Sequence, residues 1–171
     1  MNSFRIKDLA QQVIVASMYV VLVFLFHFLS FDFLQFRIAE VLLILVFFRP
    51  KYAFGLLVGT FLANLSSPFG IIDALVGTAA SSLAVTFMIL LRKYWKVSLL
   101  FPAIFNGLII PILIIQLELN PGMNLLDMFS SNLYWVNFGW VFLGEFIVMF
   151  ALGIPLYLTI NKNEVLLELI K

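Results

Sequence analysis

The chain has 171 residues, of which 64% are hydrophobic and only 11% are charged, and its formal net charge is +1. Soluble domains carry about a quarter charged residues, so this composition, with its twenty Phe, excludes an ordinary soluble domain and predicts a membrane protein. The near-neutral charge gives no indication of nucleic-acid binding, and the absence of cysteine excludes disulfides, thiolate chemistry and cysteine metal sites.

Apolar stretches near the length that a bilayer requires, roughly 20 residues each, follow one another along the chain. We predict an all-α integral membrane protein with a single domain over residues 1–171 and six transmembrane helices. The predicted spans are residues 9–29, 31–48, 52–66, 74–91, 97–117 with a kink at Pro111, and 132–160. The last stretch is too long for one upright helix, so we expect it to tilt or to extend past the membrane.

The basic residues decide whether residues 31–48 span, because Lys and Arg gather on the cytoplasmic side of short loops. If this stretch spans, every basic residue except Arg37 lies on one side of the membrane. That set is Arg5, Lys7, Arg49, Lys51, Arg92, Lys93, Lys96, Lys162 and Lys171. The distribution therefore predicts that both termini are cytoplasmic.

Polar side chains within the predicted spans lie at or above mid-membrane, and the cytoplasmic half has no comparable group. Ionisable groups at this depth cost at least ~3 kcal/mol each, so they normally face a protein interior or a cavity. The asymmetry predicts a polar pocket that opens to the outside. Its candidate substrate-binding residues are Arg37, Glu40, Asn64, Asp73, Asn106, Asn137, Trp140 and Glu145.

Several of these residues also have a purely structural interpretation. Arg37 and Glu40 are three apart on one helical face, where they could simply neutralise each other. Asn64 could cap the turn that follows it, and Asp73 could be the N-cap of the next helix. Trp140 could belong to an interfacial aromatic belt, or it could stack on a flat ligand.

Small residues recur at four-residue spacing at Gly55, Gly59 and Ala63, a pattern that lets helices approach closely. It fits packing within the bundle, and it also fits docking of a partner membrane protein.

The sequence gives no indication of catalysis, and we predict that the protein is not an enzyme. It has no Gly-rich phosphate loop ending in Lys-Ser/Thr, so it cannot hydrolyse ATP by that route. With one histidine and no cysteine, an ordinary zinc site and a Ser–His pair are unsupported.

Three segments resemble the queuosine-precursor transporter (QueT) family, whose members are substrate-binding S components of energy-coupling factor (ECF) transporters. They are FRIAE at residues 36–40, NLSSPFG at residues 64–70, and Asp73 with Gly77. The resemblance extends loosely from about residue 9 to residue 160, and residues 33–84 carry its specificity. Ala39 stands where the family commonly has Ser.

The resemblance implies a multi-pass protein of the bacterial plasma membrane that binds a 7-deazaguanine queuosine precursor. It implies a transmembrane coupling (T) subunit and two separate ABC ATPase subunits that use the ATP, with no cofactor in this chain. S components often dock the T subunit through an Ala-x-x-x-Ala pattern in the first helix, but here Val20 follows Ala16. Ala16 and Ser17 are the nearest match to that docking motif, and Gly55 and Gly59 are further candidates for docking.

Other functions remain open from the sequence. The chain could be an S component for another vitamin-like or purine-like ligand. It could also be a structural membrane protein of the cell-shape or assembly type, whose buried polar groups would be mutually paired. An intramembrane lipid-modifying enzyme would need a nucleophile or a base beside a lipid cleft, and no convincing one is present.

Overall fold

The computed structural model describes residues 6–30 and 35–170, which are helical and contain no strand. The α-helices in chain order are α1 (Ile6–Leu25), α2 (His27–Ser30), α3 (Leu45–Phe48), α4 (Tyr52–Asn64), α5 (Ile71–Leu90), α6 (Trp95–Ser98), α7 (Leu100–Ile114), α8 (Leu125–Ser130), α9 (Asn132–Ile147), α10 (Ile154–Lys162) and α11 (Glu164–Ile170). The 3₁₀-helices are Ile38–Ile44 and Arg92–Tyr94, and the π-helical turns are Ile115–Leu119 and Val148–Gly153.

Four helices are long and apolar enough to cross a membrane, namely Ile6–Leu25, Ile71–Leu90, Leu100–Leu119 and Asn132–Lys162. The last has 31 residues, and at 1.5 Å per residue its roughly 46 Å exceeds a ~30 Å hydrocarbon core, as expected from the sequence. Pro111 lies inside α7. The protein is therefore an all-α membrane protein with several spans.

The other two predicted spans are short. Tyr52–Asn64 has 13 residues, and Ile38–Phe48 combines a seven-residue 3₁₀-helix with the four residues of α3. At 1.5–2.0 Å per residue, each described helix covers only about 20 Å of a ~30 Å core. The prediction of six full-length spans is therefore not confirmed, and its residues 31–34 lie outside the described part of the chain.

The Ile38–Phe48 segment forms the centre of the bundle. Its residues from Ala39 to Val46 are all buried, and apart from Glu40 they are all apolar, so the segment has no polar face. A helix that is apolar all round is suited to an interior position, and neighbours here come from α1, α4, α5 and the turn Val148–Gly153. The segment thus contacts protein on every side. This explains how Glu40 within it and Arg37 just before it avoid contact with lipid.

Helices α1 and α4 run parallel and in close contact because α4 presents glycines to α1. A Cβ at Gly55 would lie 2.5 Å from the Gln12 backbone oxygen, and one at Gly59 would lie 2.9 Å from that of Ala16. The Gly55 amide also donates to Gln12 Oε1 at 2.8 Å. Packing within the bundle therefore accounts for the spacing of these small residues.

The basic residues gather at one end of the bundle, here called the basic end. Its described members are Lys7, Arg49, Lys51, Arg92, Lys93, Lys96 and Lys162. Asp8 pairs there with Arg49 and lies 3.7 Å from Lys51. The C-terminal helix α11 is held at the same end, since Tyr52 Oη donates to the Ile170 carbonyl at 2.9 Å.

The opposite end, here called the acidic end, carries Glu118 and Asp127. Ile115, Met128 and Tyr134 form a small separate hydrophobic cluster there, which holds α8 against α9. His27 Nε2 lies 3.0 Å from the Ser66 carbonyl and joins the start of α2 to the turn between α4 and α5. The loop after α7 therefore folds over this end of the bundle.

Exposed positions at the two ends allow the orientation to be tested, since the natural chain has no cysteine. We expect a membrane-impermeant maleimide to label Asp127→Cys in intact cells, and to label Lys93→Cys only after permeabilisation, because basic ends face the cytoplasm. Labelling of Lys93→Cys in intact cells would reverse the orientation.

The α1–α4 contact predicts opposite effects for two Gly→Ala changes. Gly59→Ala places a methyl group 2.9 Å from Tyr19 Cβ and should cost about 1–3 kcal/mol of stability. Gly139→Ala in α9 meets nothing within 4 Å and should be neutral or raise stability by up to ~1 kcal/mol. Thermal unfolding of the two purified variants in detergent measures the difference, and equal Tm values would contradict the tight contact.

Candidate functional site

The chain enters the centre of the bundle through a tight turn that positions Arg37. Gln35 has a positive φ of 32°, and its carbonyl accepts the Arg37 amide at 2.8 Å. Arg37 is the N-cap of the 3₁₀-helix Ile38–Ile44, and its carbonyl accepts the Glu40 amide at 2.8 Å. This local winding puts both charged side chains on the interior side of the segment.

Glu40 is completely buried and is held by three elements. Its Oε1 atom accepts hydrogen bonds from Tyr19 Oη of α1 at 3.2 Å and from Ser81 Oγ of α5 at 3.1 Å. Arg37 Nη1 lies 3.9 Å from the same oxygen. The ion pair predicted from the sequence is therefore present, but it is part of a larger network.

Arg37 has a second carboxylate partner. Its Nη2 atom lies 3.7 Å from Asp73 Oδ1 on α5, and both side chains are about 4% exposed. Asp73 lies in the first turn of α5, whose N-cap is Gly70, so the interpretation of Asp73 as the N-cap is wrong. The guanidinium is thus shared between two carboxylates at distances longer than a hydrogen bond.

Asn64 and Gly77 fix the position of Asp73. Asn64 Nδ2 donates to the Asp73 backbone carbonyl at 3.4 Å, so the side chain connects α4 to α5. The Asn64 backbone carbonyl accepts the Ser67 amide in the turn that follows. A Cβ at Gly77 would lie 2.4 Å from Asn64 Nδ2 and 3.0 Å from Asp73 Oδ1. Only glycine at position 77 leaves room for both side chains.

Glu145 and Asn106 form a second buried polar pair in the site. Both are completely buried, and Asn106 Nδ2 of α7 donates to Glu145 Oε1 of α9 at 2.9 Å. The pair lies close enough to Arg37 and Glu40 for electrostatic interaction with them. The network, here called the buried cluster, therefore joins Arg37, Glu40, Asn64, Asp73, Asn106 and Glu145.

The buried cluster retains much unused hydrogen-bonding capacity. Buried polar atoms in proteins are nearly all paired, and those that are not require an explanation. Nine buried side-chain atoms have no hydrogen-bond partner within the described part of the chain: Gln35 Oε1, Arg37 Nε and Nη1, Glu40 Oε2, Ser67 Oγ, Asp73 Oδ1, Thr78 Oγ1, Asn106 Oδ1 and Glu145 Oε2. Six of these nine belong to the buried cluster, which can therefore bind further polar groups.

A cavity of about 460 Å³ adjoins the buried cluster at the acidic end. Its volume lies within the ~300–1,000 Å³ that is usual for small-molecule sites. Asp73 belongs to both the cavity wall and the buried cluster. The other lining residues are Gln35, Pro68, Phe69, Ile110, Ile114, Leu117, Glu118, Leu119 and Asn137.

The structure thus brings together six of the eight residues proposed for substrate binding, and it places a seventh, Asn137, on the cavity wall. Asn137 Nδ2 donates to the Leu133 carbonyl at 2.8 Å. Trp140 is 45% exposed and does not line the cavity, so a place for it in the site is not supported. It lies on the outer face of α9, as expected for a residue of an aromatic belt.

The candidate docking residues divide into two groups. Ala16, Ser17 and Gly55 line an apolar groove of about 480 Å³ on the outer surface between α1 and α4. Gly59 is covered by α1 and does not line the groove. Its contacts are those of packing within the bundle.

Sequence reasoning missed Tyr19, Ser81 and Gln35. Tyr19 lies in an apolar span, where an aromatic residue indicates ordinary packing, and Ser81 lies in a run of small residues. The hydroxyl groups of Tyr19 and Ser81 within apolar spans were the only indication that these residues have polar partners. That partner, Glu40, is 21 residues from Tyr19 and 41 residues from Ser81 in sequence. Only the folded bundle identifies that partner.

Comparison with known families gives one match. The sequence profile of the family described as QueT transporter matches residues 9–162, which is most of the chain. Comparison with curated proteins and with solved structures gave no significant match.

The two arginines that pair with aspartates allow a matched test of the buried cluster. Arg37→Met leaves three buried carboxylates without a cation and should cost about 3–5 kcal/mol. Arg49→Met removes a partly exposed pair at the basic end, where Lys51 still adjoins Asp8, and should cost less than about 1 kcal/mol. Thermal unfolding in detergent measures both losses, and a similar loss for the two variants would contradict a central role for Arg37.

Proposed function

Because the chain belongs to the QueT transporter family, it is a membrane transport protein, and we propose that it is the substrate-binding S subunit of an ECF-type importer. In this proposal it captures a 7-deazaguanine queuosine precursor in the cavity at the acidic end. The observation that carries the proposal is the unused hydrogen-bonding capacity of the buried cluster, directly beside a cavity of about 460 Å³.

The chemistry of a deazaguanine matches the groups that are available. Its guanine-like edge presents N–H donors, which Asp73 on the cavity wall can accept, while Glu40 and Glu145 belong to the adjoining buried cluster and do not line the cavity. Its ring carbonyl can accept a charge-assisted hydrogen bond from Nε or Nη1 of Arg37, neither of which has a hydrogen-bond partner among the described residues. Asn64 and Asn106 donate within the protein, so Arg37 is the stronger candidate donor.

The flat face of the ligand needs an apolar surface. Trp140 lies outside the cavity, whereas Phe69, Ile110 and Ile114 line it. We assign stacking to Phe69, because an aromatic pair contributes about 0.5–1.5 kcal/mol beyond the burial of area.

Energy for uptake would come from partner subunits. The chain lacks a nucleotide-binding motif, so two ABC ATPase subunits and a T subunit would supply ATP hydrolysis and coupling. The apolar groove that includes Ala16, Ser17 and Gly55 is the proposed contact with the T subunit. In this arrangement the acidic end faces outward and receives the substrate.

Binding without transport is the expected behaviour of the chain alone. Purified protein should be stabilised against thermal unfolding by a deazaguanine, since a ligand at 100 times its Kd adds about 2.7 kcal/mol. Liposomes that contain only this chain should bind the ligand and fail to concentrate it.

Two outcomes would contradict the proposal. Concentrative uptake by this chain alone would exclude a binding subunit that depends on partners. If a vitamin or a pteridine stabilised the protein and deazaguanines did not, the role as a binding subunit would stand and the proposed ligand would be wrong. A single panel of purines, pteridines, deazaguanines and vitamins separates these cases.

A further inference from the structure

The short connection between α5 and α7 carries three of the residues of the basic end. It comprises residues 91–99 and is here called the basic loop. Arg92, Lys93 and Lys96 fall within five consecutive positions of this loop, and all three are exposed. The loop contains no acidic residue. It therefore concentrates positive charge at one place on the surface of the bundle.

This charge is not neutralised by carboxylates of the described chain. Asp8 forms salt bridges at the basic end, and its partners are Arg49 and Lys51, outside the loop. Glu164 and Glu168 are exposed in α11. Within the described part of the chain, none of the three basic residues of the loop forms a salt bridge. On a soluble protein such a patch would simply be solvated, so its position relative to the membrane decides its meaning.

The basic loop is held at the surface of the membrane. It joins the candidate spans Ile71–Leu90 and Leu100–Leu119 directly. Leu90 and Val97, on either side of the charges, are 70% and 56% exposed, and exposed apolar groups at the end of a span belong in lipid. Tyr94 is 60% exposed, and tyrosine is enriched at the level of the lipid headgroups. The basic side chains therefore lie where lipid phosphates are found.

Internal contacts also fix the shape of the loop. Ser98 is buried, and its Oγ atom donates to two carbonyl groups of the loop at 2.8 and 3.2 Å. The Trp95 ring stacks on Tyr157 of α10, with 4.0 Å between the ring centroids and 21° between the planes. Lys96 Nζ lies 5.7 Å from the centroid of the Trp95 ring. A cation placed on a fixed platform loses less conformational entropy when it binds an anion.

We propose that the basic loop is a binding site for an anionic phospholipid in the leaflet at the basic end. The planar guanidinium of Arg92 suits two oxygens of a phosphate, and Lys93 and Lys96 add point charges. Basic residues beside a span attract anionic lipids in this way. A zwitterionic lipid is a weaker ligand, because its own cation offsets the charge of its phosphate.

A lipid fits this site better than an acidic protein partner does. The exposed Leu90 and Val97 require acyl chains beside the charged residues, and a lipid supplies both parts. The site also lies on different helices from the proposed T-subunit contact between α1 and α4, and at the opposite end from the cavity. The proposal therefore does not depend on which ligand the cavity binds.

The test measures which lipid lies beside Trp95. The double variant Trp135→Phe with Trp140→Phe leaves Trp95 as the only tryptophan, since the chain has three. This chain is reconstituted in phosphatidylcholine vesicles that contain dibrominated phosphatidylglycerol or, in parallel, dibrominated phosphatidylcholine. Bromine quenches tryptophan fluorescence only at close range. We expect phosphatidylglycerol to be preferred at least about 5-fold, as expected from one basic residue near an anionic surface, and the preference to fall at high salt.

Matched substitutions in this single-tryptophan chain assign the preference to the loop. Lys93→Gln with Lys96→Gln removes two charges and should reduce the preference to below about 2-fold. Lys93→Arg with Lys96→Arg keeps both charges and should retain it. Lys7→Gln with Lys51→Gln removes the same charge from the basic end outside the loop, and it should also retain the preference. The Tm of each variant shows that it is folded.

Each outcome supports or contradicts the proposal. Equal quenching by the two brominated lipids would overturn it and leave the charge of the loop for a protein partner with an acidic surface. A preference that survives in the folded Lys93→Gln, Lys96→Gln variant would show that the loop is not the site. An equal loss in the Lys7→Gln, Lys51→Gln variant would reduce the effect to the overall charge of the basic end, which also contradicts a specific site.

Discussion

The placement of one guanidinium among three carboxylates inside the bundle is the constraint on which the rest of the structure depends. Arg37 and Glu40 cannot face lipid without a large desolvation cost, so the segment that carries them must be enclosed by other helices. Tyr19, Ser81 and Asn106 come from three of those helices and hold the carboxylates. The short 3₁₀-helix at the centre is therefore surrounded by longer spans. Because those spans shield it from lipid, it does not need to be long enough to cross the membrane by itself.

The two ends of the bundle are built differently, and the difference has a functional meaning. At the basic end, Arg49 and Asp8 pair and α11 is held by Tyr52, so polar contacts join the helices there. At the acidic end, α8 rests on a small cluster of its own around Met128, and a cavity reaches Asp73. Under the proposed function, the ligand enters this cavity from the acidic end.

The unpaired polar atoms of the buried cluster carry an energetic cost. Polar atoms such as Glu40 Oε2 and Glu145 Oε2 lose their hydration without gaining a partner among the described residues, and each such group costs about 1–3 kcal/mol. Packing elsewhere offsets this cost, notably the close approach of α4 to α1 at Gly59. A structural membrane protein would have no reason to retain these atoms unpaired, because mutual pairing or apolar replacement would make it more stable.

The sequence by itself determined the membrane class, the position of the long helices and the half of the bundle in which the polar residues gather. It could do so because hydropathy and charge are local properties that follow directly from composition. The tertiary structure decided the partners: Asp73 shares Arg37 instead of capping α5, Gly59 packs against α1, and Trp140 faces outward. It also showed that residues 38–48 form a short central helix, which hydropathy cannot distinguish from a span. These features depend on which helix faces lie together, and that is fixed by contacts between residues far apart in the chain.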